Sequence, residues 1–280
     1  CTAGGLWLAG SGLGATRLAF FYEAPDDKDD YVLTGSYRLL EGMDFAAIDR
    51  VALGFGSMTE EDFVSYLNDT VVGAVLAAGG ELTPARLLDA YRLGIFPWFS
   101  QGDPILWWSP SPRLVLFPEE CHLSRRLQRT LRSGSFRVSA DTAFAEVIAG
   151  CATASGRSGQ GTWITEAMQQ AYIRLHMLGF AHSVECWYGG QLAGGLYGVC
   201  LDRVFFGESM FTRVTDASKV ALAHLVQYAL RSGIAMIDCQ MTTDHLLRFG
   251  ARELSREAFQ AELDRLIDRC RPQPRWHIYG

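Results

Sequence analysis

Apolar residues recur along the chain at two spacings, and these spacings predict its elements. In "DASKVALAHLVQYALRSG" Val220, Leu222, Leu225, Val226, Ala229 and Leu230 trace the stripe of an amphipathic helix that stops near Gly233. "LTPARLLDAYRLG" predicts another, with Thr83 as N-cap, Pro84 at the first helical position and Gly94 just past the end. "DTAFAEVIAGCA", "TEAMQQAYIRLHMLG" and "REAFQAELDRLIDRC" also read as helices, the second ending at Gly179. Between them the period falls to two. "AHSVECWY", a turn at Gly189-Gly190, "QLAGGLYGVC", a turn over 201–203 and "VFFGESMF" predict an antiparallel meander. Helices, meander, helix and a final strand predict an α+β domain over roughly 142–270.

That final strand, "GIAMIDCQM", is apolar at Ile234, Met236, Ile237 and Met241 but carries Asp238 and Gln240 in its middle. Strand side chains alternate, so Asp238 and Gln240 are expected on one face and Cys239 on the other, in the core rather than as a nucleophile. A carboxylate in such a run is costly unless it is paired, hydrogen-bonded or wet. "FFGESMF" embeds Glu208 in the same way. One such acid is often only a structural acceptor. Two on neighbouring strands, with an amide beside one, point to a site that binds or deprotonates an amine.

Composition narrows the class. With 49% apolar and 20% charged residues in 280, the chain reads as a soluble globular protein of one large or two smaller domains. Seven scattered cysteines without a C-x-x-C pair suit a reducing compartment, so a cytoplasmic location is expected. The six histidines form no H-x-x-x-H pair, so no metal is expected. "GGLWLAGSGLGATRLAFFY", the stretch nearest a membrane span, is interrupted by glycines and Arg17, and no membrane partner is expected.

Charge is uneven. Residues 1–72 hold 12 acids and 4 bases, whereas 73–280 hold 19 acids and 21 bases. The most basic stretch, 113–137, sets six arginines against Glu119 and Glu120, with Arg125, Arg129 and Arg132 on one helical face and Arg126 beside them. Most charge runs are solvated faces, so this alone is weak evidence for a polyanion. Nearby, Trp98, Trp107 and Trp108 lie within eleven residues. They read either as a proline-stiffened apolar wedge or as a platform on which a nucleobase stacks. Residues 1–72 read as an extension with an acidic loop "EAPDDKDD", a short helix over "TEEDFVSYLND" and a tight turn at "GSGLG". Residues 73–141 and 142–280 are expected as two domains.

"GELTPARLLDAYRLGIFPWFSQGDPILWWSPSPR", "GTWIT", "GFAHSVECW", "GGLYGV", "FFGESMF", "ASKVAL" and "IDCQM", in this order from about 73 to 260, closely resemble the leucyl/phenylalanyl-tRNA–protein transferase family. The resemblance implies a small N-terminal α/β domain followed by an acetyltransferase-like (GNAT-like) domain with a mostly antiparallel sheet. It implies an enzyme that moves Leu or Phe from aminoacyl-tRNA to proteins beginning with Arg or Lys, marking them for degradation. It assigns peptide-bond formation to Asp238 and Gln240, with Glu208 nearby. Tyr91, Trp98, Trp163 and Tyr172 match residues at the aminoacyl-adenosine end, and Leu196, Phe205, Met210 and Ile237 the side-chain pocket. The tRNA backbone falls to Arg125, Arg126, Arg129 and Arg132. The donor is an activated ester, so no cofactor is needed, and a monomer is expected. On this reading Asp238 orients Gln240 and takes up charge, Gln240 bonds the reacting ester or amine, and Glu208 attracts the basic acceptor. Residues 1–72 lie outside the resemblance, and "HLLRFGARELSREAF" departs from it at Arg248, Phe249 and Ser255. An ordinary acetyltransferase needs a basic glycine-rich phosphate turn, and "QLAGGL" lies inside a hairpin instead. A peptidoglycan aminoacyl ligase is a fold-related alternative. A binding-only RNA module would have no use for Asp238, Gln240 and Glu208 together.

Overall fold

The tight turn at Gly189-Gly190 forms with both residues at positive φ, 56 and 78°, as a two-residue hairpin loop requires and glycine adopts without a Cβ clash. A computed structural model describes residues 4–11, 15–22, 31–36, 51–53, 75–155 and 162–278. The chain divides into two units, Cys1–Glu81 with Ile95–Ser111, and Leu82–Gly94 with Pro112–Gly280. The segment 73–141, expected as one domain, is therefore shared between them. The helix expected at 59–69 and the acidic loop at 23–30 lie outside the described residues, as does most of "GSGLG".

The first unit is built of strands. β1 (Gly4–Ser11), β2 (Ala15–Tyr22), β3 (Tyr31–Ser36) and β4 (Val51–Leu53) form an antiparallel sheet in the order β3-β2-β1-β4. β5 (Val75–Ala78), β6 (Phe96–Pro97) and β7 (Leu106–Trp108) form a second, in the order β5-β7-β6. Within this unit Trp107 is buried and donates from Nε1 to the Gly79 carbonyl at 3.0 Å. Trp108 donates to the Trp98 carbonyl at 2.6 Å, and their rings lie 5.2 Å apart. Trp107 is a core wedge, one of the two expected uses, while Trp98 and Trp108 are half-buried.

The second unit begins with α1 (Pro84–Arg92), capped by Thr83 as its sequence predicts, with Gly94 at φ 70° beyond its end. It continues through β8 (Arg113–Leu116), α2 (Arg125–Arg132), β9 (Arg137–Ala140), α3 (Phe144–Ser155) and α4 (Glu166–Met177). The meander follows as β10 (Ala181–Tyr188), β11 (Gln191–Leu201) and β12 (Val204–Thr212). Next come α5 (Ala217–Ser232), β13 (Met236–Gln240), α6 (Asp244–Leu247), β14 (Arg252–Leu254) and α7 (Arg256–Leu266). The seven strands order as β14-β8-β13-β12-β11-β10-β9. All neighbours are antiparallel except β12 and β13, whose parallel pairing is permitted by the α5 crossover between them.

Consecutive glycines of β11 define the two faces. A Cβ on Gly194 would meet Ala217 of α5, whereas one on Gly195 would meet Val147 of α3. The sheet is thus a middle layer between α5 and the α3 side, a standard solution for burying both faces. On the α5 face Leu114, Leu116, Leu196, Phe205, Ile237, eight α5 side chains between Ala217 and Ala229, and Trp276 belong to one buried cluster. Each fully buried large side chain contributes about 1.5–3 kcal/mol of transfer free energy. Among the described residues no helix is long and apolar enough to cross a membrane.

Candidate active site

Two irregularities in the sheet create the site. Along β12, Tyr197 pairs with Ser209 but Gly198 pairs with Gly207, so Glu208 is the extra residue of a β-bulge. Along β13, Asp238 pairs with Val115 and Gln240 with Leu114, so Cys239 is extra there. Gln240 then takes φ 63°, a conformation disfavoured for any residue with a Cβ, and Met241 N bonds to Cys239 O at 2.8 Å across it. Backbone strain of this kind costs on the order of 1–3 kcal/mol and persists only where its surroundings enforce it.

The enforcing contacts are specific. Arg113 donates from Nε to Asp238 Oδ1 at 2.8 Å and from Nη2 to Oδ2 at 2.7 Å, a bidentate pair buried to 1 and 0% exposure. Asp238 Oδ1 also accepts the backbone N–H of Gln240 at 2.9 Å. The Gln240 side chain reaches away from Asp238 and donates from Nε2 to Glu208 Oε1 at 2.9 Å. The other oxygen of Glu208 accepts from Tyr172 Oη at 2.9 Å, and Tyr172 in turn shares a short hydrogen bond with Tyr91. Phe206, next but one to Glu208 on β12, packs against Tyr91 at 5.2 Å.

Burial dominates the electrostatics of Glu208. Burial, followed by the nearby Asp238 charge, raises the Glu208 pKa from 4.5 to about 7, against the opposing hydrogen bonds of Tyr91 and Tyr172 and the Arg113 charge. Burial and the Glu208 charge push Tyr91, Tyr172 and Tyr197 well above 10, so all three are neutral donors. The Tyr197 ring stands edge-on to Tyr172 at 5.5 Å with its hydroxyl buried. Asp238 is held by Arg113 through two hydrogen bonds. Burial also raises the Cys239 thiol, which packs against the α5-side cluster as expected of a core cysteine.

The sequence-predicted residues therefore separate into groups. Glu208, Gln240, Asp238, Tyr91 and Tyr172 come together in one network. Leu196, Phe205 and Ile237 come together in the buried α5-side cluster, with Met210 against it, while Phe206 points to the Tyr91 side. Trp163 is half-buried just before α4, and Trp98 belongs to the first unit. Arg125, Arg126, Arg129 and Arg132 lie exposed on α2 around buried Leu127, with Arg126 bonded to Asp216 at 3.3 Å. Asp238 holds Gln240 through the Gln240 backbone N–H, and Glu208 holds its side chain. One expectation is corrected: Arg113, counted in the basic stretch, is a buried partner of Asp238 and not part of an exposed patch, because strand pairing of β8 with β13 carries it inside. Its signal was the unmet need of Asp238 for a cation. Tyr197 was missed as well. Among the described residues no group of three or more His, Cys, Asp or Glu is arranged to hold a metal ion.

Comparison with known proteins gives a consistent result. The family described as leucyl/phenylalanyl-tRNA protein transferase matches residues 115–264, and its N-terminal domain matches 80–111. The leucyl/phenylalanyl-tRNA–protein transferase of Azoarcus sp. (strain BH72) is 56% identical over 207 residues, spanning 74% of this chain and 88% of that one. Its counterpart in Aromatoleum aromaticum (strain DSM 19018 / LMG 30748 / EbN1) is 61% identical over 189 residues, 68 and 79% of the two chains. A crystal structure of FemX aligns over 90% of this chain and 86% of its own at 11% identity and a TM-score of 0.40.

Proposed function

The chain belongs to the leucyl/phenylalanyl-tRNA–protein transferase family, and on that premise we propose that it transfers Leu or Phe from aminoacyl-tRNA to the α-amine of proteins beginning with Arg or Lys. The transfer marks those proteins for degradation, and the enzyme works as a cytoplasmic monomer. The observation that carries the site assignment is the network in which one buried carboxylate, Glu208, titrates near neutrality while its neighbour Asp238 is enclosed by Arg113.

In the reaction the neutral acceptor amine attacks the aminoacyl carbonyl, a C–N bond forms, and the bond to the ribose oxygen breaks. The amine loses a proton and the departing ribose oxygen gains one. A base with a pKa near the working pH serves both steps best. Glu208 takes the amine proton and returns it to the ribose oxygen. The Gln240 amide, anchored at both ends, presents its remaining hydrogen-bonding capacity to the ester or amine at a fixed position. Tyr91 and Tyr172 hold Glu208 and face the aminoacyl-adenosine end, joined there by Trp163. Leu196, Phe205 and Ile237, with Met210 against them, lie in the buried α5-side cluster and back the strands that carry Glu208 and Gln240, while Phe206 offers the apolar surface on the Tyr91 side. Arg125, Arg126, Arg129 and Arg132 meet the tRNA backbone. No cofactor is required, because amide formation from an ester is downhill.

The test is transfer of labelled Phe, Leu or Met from purified aminoacyl-tRNA to a peptide beginning with Arg or Lys. Wild-type protein is expected to transfer Phe and Leu, and Asp238→Asn to lose transfer while still binding tRNA. Binding without transfer by the wild type would favour an RNA-binding module, and full activity in Asp238→Asn would refute the site assignment.

A further inference from the structure

We propose that Arg113 is a positioning residue for aminoacyl transfer: acting through Asp238, it sets the strained turn that presents the Gln240 amide to Glu208 and the reacting groups. This rests on the reading of Glu208 and Gln240 as the reaction site. The connection is continuous. One oxygen, Asp238 Oδ1, accepts both the Arg113 Nε–H at 2.8 Å and the Gln240 N–H at 2.9 Å. The second fork contact, Nη2 to Oδ2 at 2.7 Å, fixes the plane of the carboxylate and so the direction in which Oδ1 faces Gln240. With its N–H held there, Gln240 adopts φ 63°, and its side chain arrives at Glu208 Oε1 at 2.9 Å.

Stability alone is a poor account of this pair. Buried ion pairs are often no more stabilising than apolar residues of similar volume. The three residues after Arg113 on β8, Leu114, Val115 and Leu116, are apolar and fully buried. An apolar residue at 113 would suit such a strand but could not direct the Asp238 carboxylate. A lysine would keep the charge, but as a single point donor it would not fix the carboxylate plane.

The experiment compares Arg113→Lys, Arg113→Gln, Asp238→Asn and the double variant Arg113→Gln/Asp238→Asn in the full chain, with Glu208→Gln alongside. Single-turnover Phe transfer, KM for Phe-tRNA, Tm and the pH profile of kcat are measured for each. A misplacement of about 1 Å lowers a rate on the order of 100-fold, so both Arg113 variants are expected to lose kcat on that scale. Their KM for Phe-tRNA is expected to stay within about threefold of wild type, because only groups at the chemical step have moved. The double variant is expected to be no slower than Asp238→Asn, since the two residues act as one unit. The pH profile gives a readout that a purely structural role would leave in place. The titratable and charged groups facing Glu208 are Tyr91 from α1, Tyr172 from α4, Tyr197 from β11, Asp238 from β13 and Arg113 from β8. Removing Arg113 deletes the cation and leaves Asp238 in place, so the acid limb moves to higher pH in Arg113→Gln.

A wild-type kcat and pH profile in Arg113→Lys would overturn the proposal, as would losses that follow Tm alone. If Arg113→Gln does not fold, the lysine and charge-free double variants still decide the question. Transfer retained in Glu208→Gln would instead refute the site assignment, and this inference with it. An inactive Glu208→Gln beside an unaffected Arg113→Lys would refute the role of Arg113 alone.

Discussion

In the proposed reaction Glu208 is the base, and opposing forces act on its proton, with burial the largest. Burial and the Asp238 charge hold the proton on, while the two tyrosine hydroxyls and Arg113 favour its release, leaving the pKa at about 7. Activity is therefore expected to fall as pH drops through about 7, and Glu208→Gln to lose transfer at every pH. The same shift sets a stability trend. A carboxyl whose folded-state pKa is raised stabilises the fold fully below its ordinary value of 4.5 and loses that contribution as pH rises through about 7. Across that window the wild-type Tm is expected to decline relative to Glu208→Gln, measured by thermal melts in parallel buffers. A Tm difference independent of pH would refute the assigned pKa. At this scale the sequence was informative: two acids and an amide in apolar strands stood out because such groups are costly there. Their partners did not stand out, since Arg113 lies 125 positions from Asp238 and looked like any other arginine of a basic stretch.

The element that decides the geometry is the bulged strand β12 lying against β11. Gly198 faces it at close range: a Cβ there would stand 2.1 Å from the Phe206 carbonyl oxygen and 2.6 Å from the Phe205 ring. The backbone atom cannot rotate aside, so Gly198→Ala is expected to cost about 1–3 kcal/mol and lower Tm. Because the strain falls beside the Glu208 bulge, transfer is expected to drop further than the melting loss explains, which residual activity well below Tm would measure. Helix α2 makes a different prediction. If its exposed arginines meet tRNA phosphates, replacing Arg125, Arg129 or Arg132 by Gln raises KM for aminoacyl-tRNA and spares kcat. Each replacement also lowers the slope of log affinity against log salt by about 0.7–0.9. An unchanged slope would return α2 to the status of an ordinary solvated helix. Helix caps and glycine turns were legible in the sequence because they are local. The bulges were not, because they arise only when neighbouring strands compete for register.

Across the second unit, a loop acid helps to fasten segment 268–278, which Asp141 also holds through the Trp276 N–H at 2.7 Å. Asp202, between β11 and β12, accepts backbone N–H bonds from Asp268, Arg269 and Cys270 at 2.7, 2.8 and 3.0 Å. Burial opposes its charge, but these bonds prevail and hold its pKa below 3.8. The tethered segment carries Trp276, which stacks between His182 and Tyr228 at 4.2 and 4.5 Å. Asp202→Ala is expected to lose about 2 kcal/mol and to red-shift tryptophan emission as Trp276 loosens. That loss shrinks as pH falls through the lowered pKa of the wild-type carboxyl, and a pH-independent loss would contradict the tether. The sequence by itself determined the α+β class, the helices and their caps, the meander, and the polar residues that do not belong in core strands. These follow from local periodicity, turn chemistry and the cost of burying charge, and the motifs carried the family. Only the tertiary structure decided that Arg113 neutralises Asp238, that Gln240 belongs to Glu208, and that 73–141 is divided between units. Those outcomes depend on which distant strands pair and where their register slips, and a one-residue slip is decided by contacts that no local window contains.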